Sequence, residues 1–155
     1  MITDSKTFCP HPWITMNMDQ TGKVFPCMNS GYELGNIKKS SIQDIITGEP
    51  RRELCATIAQ GEWHSACAIC KQNEESSGVS ARTQAAISQE FKDQINADPS
   101  WYTPVHLTVN WSNLCNLTCV YCNPQTSTAW QSVKKIPIDF VRNEHDSLIR
   151  SEEHT

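Results

Sequence analysis

Three cysteines in one short run constrain this chain more than anything else in it. Residues 113–123 read Asn-Leu-Cys-Asn-Leu-Thr-Cys-Val-Tyr-Cys-Asn, which places Cys115, Cys119 and Cys122 in a C-x3-C-x2-C spacing. Thiolates this close can converge on one face of a small inorganic cluster. Three soft ligands are one short of the four that a closed iron-sulfur or zinc site takes. Either a fourth ligand arrives from elsewhere in the chain, or one metal atom is left open to something else.

The remaining cysteines show a second grouping. The chain has 8 cysteines in 155 residues. In a secreted protein such a number suggests a disulfide framework, and in a reducing compartment it suggests metal or redox chemistry. The tight spacings, including Cys67-x2-Cys70, serve metals better than long-range crosslinks. With Cys9 and Cys27, that pair supplies four thiolates, the complement of one closed cluster. A four-cysteine zinc site would use the same residues, and spacing does not separate the two metals. A thioredoxin-like reading of Cys67-x2-Cys70 is disfavoured, because the motif follows a helix and a Gly-Trp turn rather than a strand. His11 and His64 lie beside these cysteines and read as surface groups or neighbours of the ligands, since four thiolates already complete the set. Cys55 falls on the apolar stripe of a helix and reads as a small buried core thiol.

Charge and hydropathy exclude several classes. Lys and Arg number 13 against 17 Asp and Glu, for a net charge of -4. The densest basic run, Lys38-Lys39, is too short for a phosphate-binding groove, so no nucleic-acid partner is expected. No apolar run approaches a membrane span, and residues 1–8 lack the apolar region of a signal peptide. A cytoplasmic location is the resulting expectation.

The pattern of elements follows from local signals. Trp13–Met18 reads as a strand, Asp19–Gly22 as a turn and Val24-Phe25 as the returning strand. That hairpin would bring Cys27 back beside Cys9. Leu34–Ile37 reads as a short extended segment. Ser41 reads as the N-cap of a helix to Thr47, and Pro50 suits the first turn of the next helix. Residues 74–78 read as a polar turn, and 80–96 as one helix ended by Pro99. Pro104–Asn110, rich in β-branched residues, reads as a strand that delivers the chain into the cysteine triad. Helices are expected over 127–133 and 138–150, followed by a frayed tail. His106, on the strand, reads as structural.

The triad, with aromatic Tyr121 just before its last cysteine and a strand before it, resembles the signature of the radical S-adenosylmethionine (SAM) superfamily. The resemblance implies a [4Fe-4S] cluster on Cys115, Cys119 and Cys122. Its open iron would take the amino and carboxylate groups of SAM, and reductive cleavage would start hydrogen abstraction from a substrate. Tyr121 would lie near the adenine. The first half has its own likeness. Phe8-Cys9-x-x-Pro12-Trp13, Gly22-x-Val24-x-Pro26-Cys27, Gly35-Asn36-Ile37, Ser41-Ile42, Cys67-x2-Cys70, Glu74 and Ser80-x-Arg82 resemble twitch-domain radical SAM proteins, whose cysteine-rich module is related to the SPASM domain. The likeness implies an auxiliary iron-sulfur cluster on Cys9, Cys27, Cys67 and Cys70.

The expected fold class is therefore α/β. A cysteine-rich α+β twitch-like module over 1–79 is followed by a helical linker over 80–103, then by the first β-loop-α portion of a partial (β/α) barrel over 104–155. The superfamily core needs more strand-helix units than follow residue 104, and the glycine-rich motif expected after the second strand is absent. The chain is accordingly expected to be the N-terminal portion of a longer enzyme, or to be completed by a partner chain, and to be inactive by itself. An electron donor and a peptide or small-molecule substrate are the other expected partners. Two alternatives use the same cysteines: a non-catalytic iron-sulfur electron-transfer or binding module, and a zinc-stabilised interaction protein.

Overall fold

The computed structural model describes residues 1–120, 122 and 127–134. Tyr121, the helix expected over 138–150 and the tail after it lie outside the described residues. The chain divides into two compact units: residues 1–18 with 22–108, and residues 19–21 with those from Val109 onward.

The first unit opens with a departure from expectation. Residues His11–Ile14 form a helical turn, α1, and only Thr15–Met18 is extended, as β1. Pro10 and Pro12 explain it. Each fixes φ near the helical value, and neither N–H is needed in a first helical turn. The turn drives Trp13 fully into the core, where its indole N–H donates to Pro99 O at 2.9 Å.

The strand Lys23–Phe25, β2, pairs antiparallel with β1 in the register Asn17↔Phe25 and Met18↔Val24. Gly22 opens β2 at φ +85°, a conformation that costs glycine nothing. The short strand Gly35–Asn36, β3, pairs on the other side of β2. Gly35 is small for a reason: a Cβ there would stand 2.8 Å from Ile45 Cγ1. A fourth strand, His106–Val109 or β4, completes a sheet of order β3-β2-β1-β4. The fold is thus mixed α and β around a small four-stranded sheet.

Helix α2 (Ile42–Ile46) starts at a reciprocal capping box, with Ser41 Oγ accepting from Asp44 N–H and the Asp44 carboxylate accepting from Ser41 N–H. Helix α3 (Glu49–Ala59) carries Pro50 in its first turn. A 3-10 turn (Ser65–Cys67) then leads into α4 (Ala68–Ser77). Residues 74–77, expected as a turn, remain helical, and Gly78 ends the helix at φ +73°. The single helix expected over 80–96 is two: α5 (Ala81–Gln84) and α6 (Gln89–Ala97). Ser88 causes the restart, its hydroxyl accepting from Phe91 N–H as a new N-cap.

Trp13, Leu54, Ile58 and Ile95 centre one core, and Met16, Val24, Leu34 and Ile45 a second. Cys55 is buried in the first, as its place on the α3 stripe implied. Full burial of such aliphatic side chains contributes about 1.5–3 kcal/mol each. Arg51 ties the elements together. Its side chain lies in a residue only 2 % exposed and donates to the carbonyls of Pro12, Ile46, Ser100 and Trp101 at 2.8–3.2 Å. The guanidinium also lies 4.7 Å from the centre of the Tyr102 ring. Burial pulls its pKa below the usual arginine value. Among the described residues, no helix is long and apolar enough to cross a membrane.

Candidate metal centres

Four elements of the first unit each deliver one cysteine to a common cavity. Cys9 precedes α1, and Cys27 follows β2 beyond the fully buried Pro26. Cys67 ends the 3-10 turn, and Cys70 lies in the first turn of α4. The cavity measures about 280 Å³ and is lined by all four, with His11 and Arg82 also in its lining. Cys27 does return to the neighbourhood of Cys9, since both line this cavity. None of the eight cysteines is in a disulfide.

Burial governs the chemistry of these thiols. Cys9 is raised far above the usual thiol range, chiefly by desolvation, and the neighbouring Cys67, Cys27 and Cys70 add to it. Burial likewise raises Cys27, and lifts Cys67 to about 11. Thiols so disfavoured as anions, yet gathered on one cavity, are an arrangement that a cationic occupant would stabilise. Among the described residues, no three His, Cys, Asp or Glu side chains close around a single-ion position. The soft donor set of the cavity fits an iron-sulfur cluster.

Residues 9–71 match the family model of SPASM, an iron-sulfur cluster-binding domain. The matched span opens on Cys9 and ends one residue beyond Cys70, so it contains all four cysteines of the cavity. The match supports an iron-sulfur cluster-binding module in this part of the chain. No curated protein and no solved structure gave a match.

The residues around the SPASM-matching cavity hold it in shape. His64, expected as a surface group or a neighbour of the ligands, is 8 % exposed and therefore not at the surface. Its Nδ1 accepts from Ala66 N–H at 3.0 Å and so caps the 3-10 turn that carries Cys67. Its ring meets Tyr32 edge-on at 4.7 Å. His11 shares a hydrogen bond between Nδ1 and Thr15 Oγ1 at 3.0 Å, and burial lowers its pKa. His106 is exposed on β4.

The second unit contains the triad. Cys115, Cys119 and Cys122 are half-buried, while Asn116, Leu117, Thr118 and Val120 between them are exposed. The three cysteines are thus the less exposed positions of the described part of their loop. Helix α7 (Thr128–Lys134) anchors that loop. Thr128 Oγ1 accepts from Cys115 N–H at 3.1 Å and donates to Cys115 O at 2.9 Å. Ala129 N–H donates to the same carbonyl at 3.0 Å. Trp130 Nε1–H donates to Cys119 O at 2.9 Å, and buried Ser127 donates to Leu117 O at 2.7 Å. Leu117 N–H points at Cys115 Sγ from 3.4 Å, a donor that a thiolate would use. An open groove of about 470 Å³ is lined by Leu114, Cys115, Asn116 and Thr128.

Thr128 and Trp130 act on the cysteine backbone from the next helix, and only their place in a predicted helix just after the triad hinted at it. Arg51 had no hint at all, since its partners are carbonyls that every residue carries.

Proposed function

We propose that this chain is an iron-sulfur protein of the radical SAM type. Cys9, Cys27, Cys67 and Cys70 would hold an auxiliary cluster, and Cys115, Cys119 and Cys122 a [4Fe-4S] cluster. The observation that carries the reading is the convergence of four thiols on one cavity inside the SPASM-matching segment. A separate loop with three half-buried cysteines, one short of a closed site, supports the rest.

The two sites differ in what they leave available. Four thiolates complete one site and leave its occupant to transfer electrons or shape the fold. Cys115, Cys119 and Cys122 would hold a four-iron cluster with three thiolates, and the group would supply a site for SAM and the electron for its reductive cleavage. The chain's own contribution is orientation. Thr128, Ala129 and Trp130 fix the carbonyls of Cys115 and Cys119, which restrains the backbone from which both side chains leave. By resemblance Tyr121 would meet the adenine. An external electron donor and a peptide or small-molecule substrate are the partners this reading implies.

Anaerobic reconstitution tests it. Two [4Fe-4S] sites should give about eight iron and about eight acid-labile sulfide per chain. Adding SAM to the reduced protein should alter one of two electron paramagnetic resonance (EPR) signals. Zinc without sulfide, or signals indifferent to SAM, would sink the radical SAM reading.

A further inference from the structure

Arg82 stands on the wall of the four-thiol cavity, and every nitrogen of its guanidinium is engaged. Nε donates to Glu74 Oε1 at 2.9 Å, Nη2 donates to Glu74 Oε2, and Nη1 donates to Phe8 O at 3.0 Å. Ser80 Oγ also donates to Glu74 Oε1, at 2.6 Å. The Trp63 ring covers the guanidinium at 5.1 Å. The Arg82 and Glu74 side chains are only 12 % and 17 % exposed. A bidentate pair so enclosed holds its plane in a way that a surface ion pair does not.

The connections join the parts that carry the cysteines. Glu74 lies on α4, one turn after Cys70. Phe8 O belongs to the peptide that enters Cys9. The Glu74–Arg82 pair therefore clasps the Cys70 helix to the Cys9 segment. It is also polar in a definite sense, because Arg82 is on the cavity wall and Glu74 is not. Of the pair, the cationic partner is the one that lines the cavity with the thiols.

We propose that Arg82, fixed by Glu74 and Ser80, is the charge that sets how readily the occupant of the four-thiol cavity accepts an electron. This rests on the cavity holding an iron-sulfur cluster. Reduction adds one negative charge to a site already bearing four thiolates. A fixed positive charge on the wall favours the reduced state, and the carboxylate behind it opposes that effect.

The two partners therefore act with opposite signs, which a purely structural clasp would not do. The full chain carrying Cys119→Ala isolates the four-thiol site, and an EPR-monitored redox titration with dithionite reads its midpoint potential. Arg82→Gln should shift it negative, lowering the ratio of reduced to oxidised cluster at fixed potential by on the order of tenfold. Glu74→Gln, which keeps an acceptor for Ser80 and Arg82, should shift it positive. Arg82→Lys should stay near the parent. Shifts of one sign in both neutral variants, or no shift in either, overturn the inference. If Arg82→Gln does not load, the sign given by Glu74→Gln decides. Absence of iron and sulfide from the parent removes the cluster reading itself, whereas a loaded cluster with unmoved potential removes only the role of Arg82.

Discussion

Cys9, Cys27, Cys67 and Cys70 are gathered from separate elements across most of the first unit, whereas Cys115, Cys119 and Cys122 leave a single loop of the second. The first set owes its geometry to a folded core. The second owes it to a few backbone hydrogen bonds from the start of α7. A site built from distant elements is coupled to global stability, because occupying it and folding the chain are one equilibrium. A site built in one loop can change without the rest of the molecule responding. The difference suits a closed, structural or electron-transferring occupant in one unit and an open, reactive one in the other.

The largest test of this contrast compares Cys70→Ala with Cys119→Ala. Structural metal sites in small domains contribute on the order of 10 kcal/mol. Cys70→Ala should therefore lose the iron and sulfide of the first site and much of the far-UV circular dichroism of the first unit. Cys119→Ala should lose only the SAM-sensitive signal and leave the dichroism unchanged. Equal unfolding by both variants would show that the two sites do not differ in this way.

A smaller test leaves the cysteines alone. Arg51→Met removes the four donations that join α1, α2 and the segment at 100–101, while keeping most of the apolar volume. Leaving buried carbonyls unpaired should destabilise the first unit by about 3 kcal/mol, read as a lower urea midpoint. Iron release to a chelator should then quicken at the four-thiol site and stay constant at the triad. Quickened release at both sites would mean that the second unit depends on the first.

The same division explains what could be read from the sequence. Ser41 as an N-cap, Pro50 at a helix start and Val24-Phe25 as a returning strand are local signals, and each appears in the structure within a residue or two. The helical turn at His11–Ile14 was hidden because proline suits extended and helix-starting backbone alike. Ser88 split a helix whose apolar spacing runs on across the break. The roles of His64 and Arg51 are set by partners far along the chain, and no spacing rule reaches them. Glu74 and Ser80-x-Arg82 could be noted as a motif, but their clasp on the Phe8 carbonyl is a tertiary fact.

The finest test lies in the second unit, at Thr128. Its hydroxyl accepts from Cys115 N–H and donates to Cys115 O. Thr128→Val keeps the shape of the side chain and removes both bonds. Cys115 O still receives Ala129 N–H at 3.0 Å, so the loss falls mainly on the Cys115 N–H. One partly exposed donor without its acceptor costs about 1 kcal/mol. That is too little to unfold anything, but it frees the backbone of the first triad cysteine. The expected result is a broader EPR signal from the triad cluster and a weaker response to SAM, with the four-thiol signal and the urea midpoint of the first unit unchanged. An unaltered triad signal would mean that the remaining bonds from Ser127, Ala129 and Trp130 orient the loop without Thr128. A change at the four-thiol site would mean that the triad loop is not the self-contained element its hydrogen bonds describe.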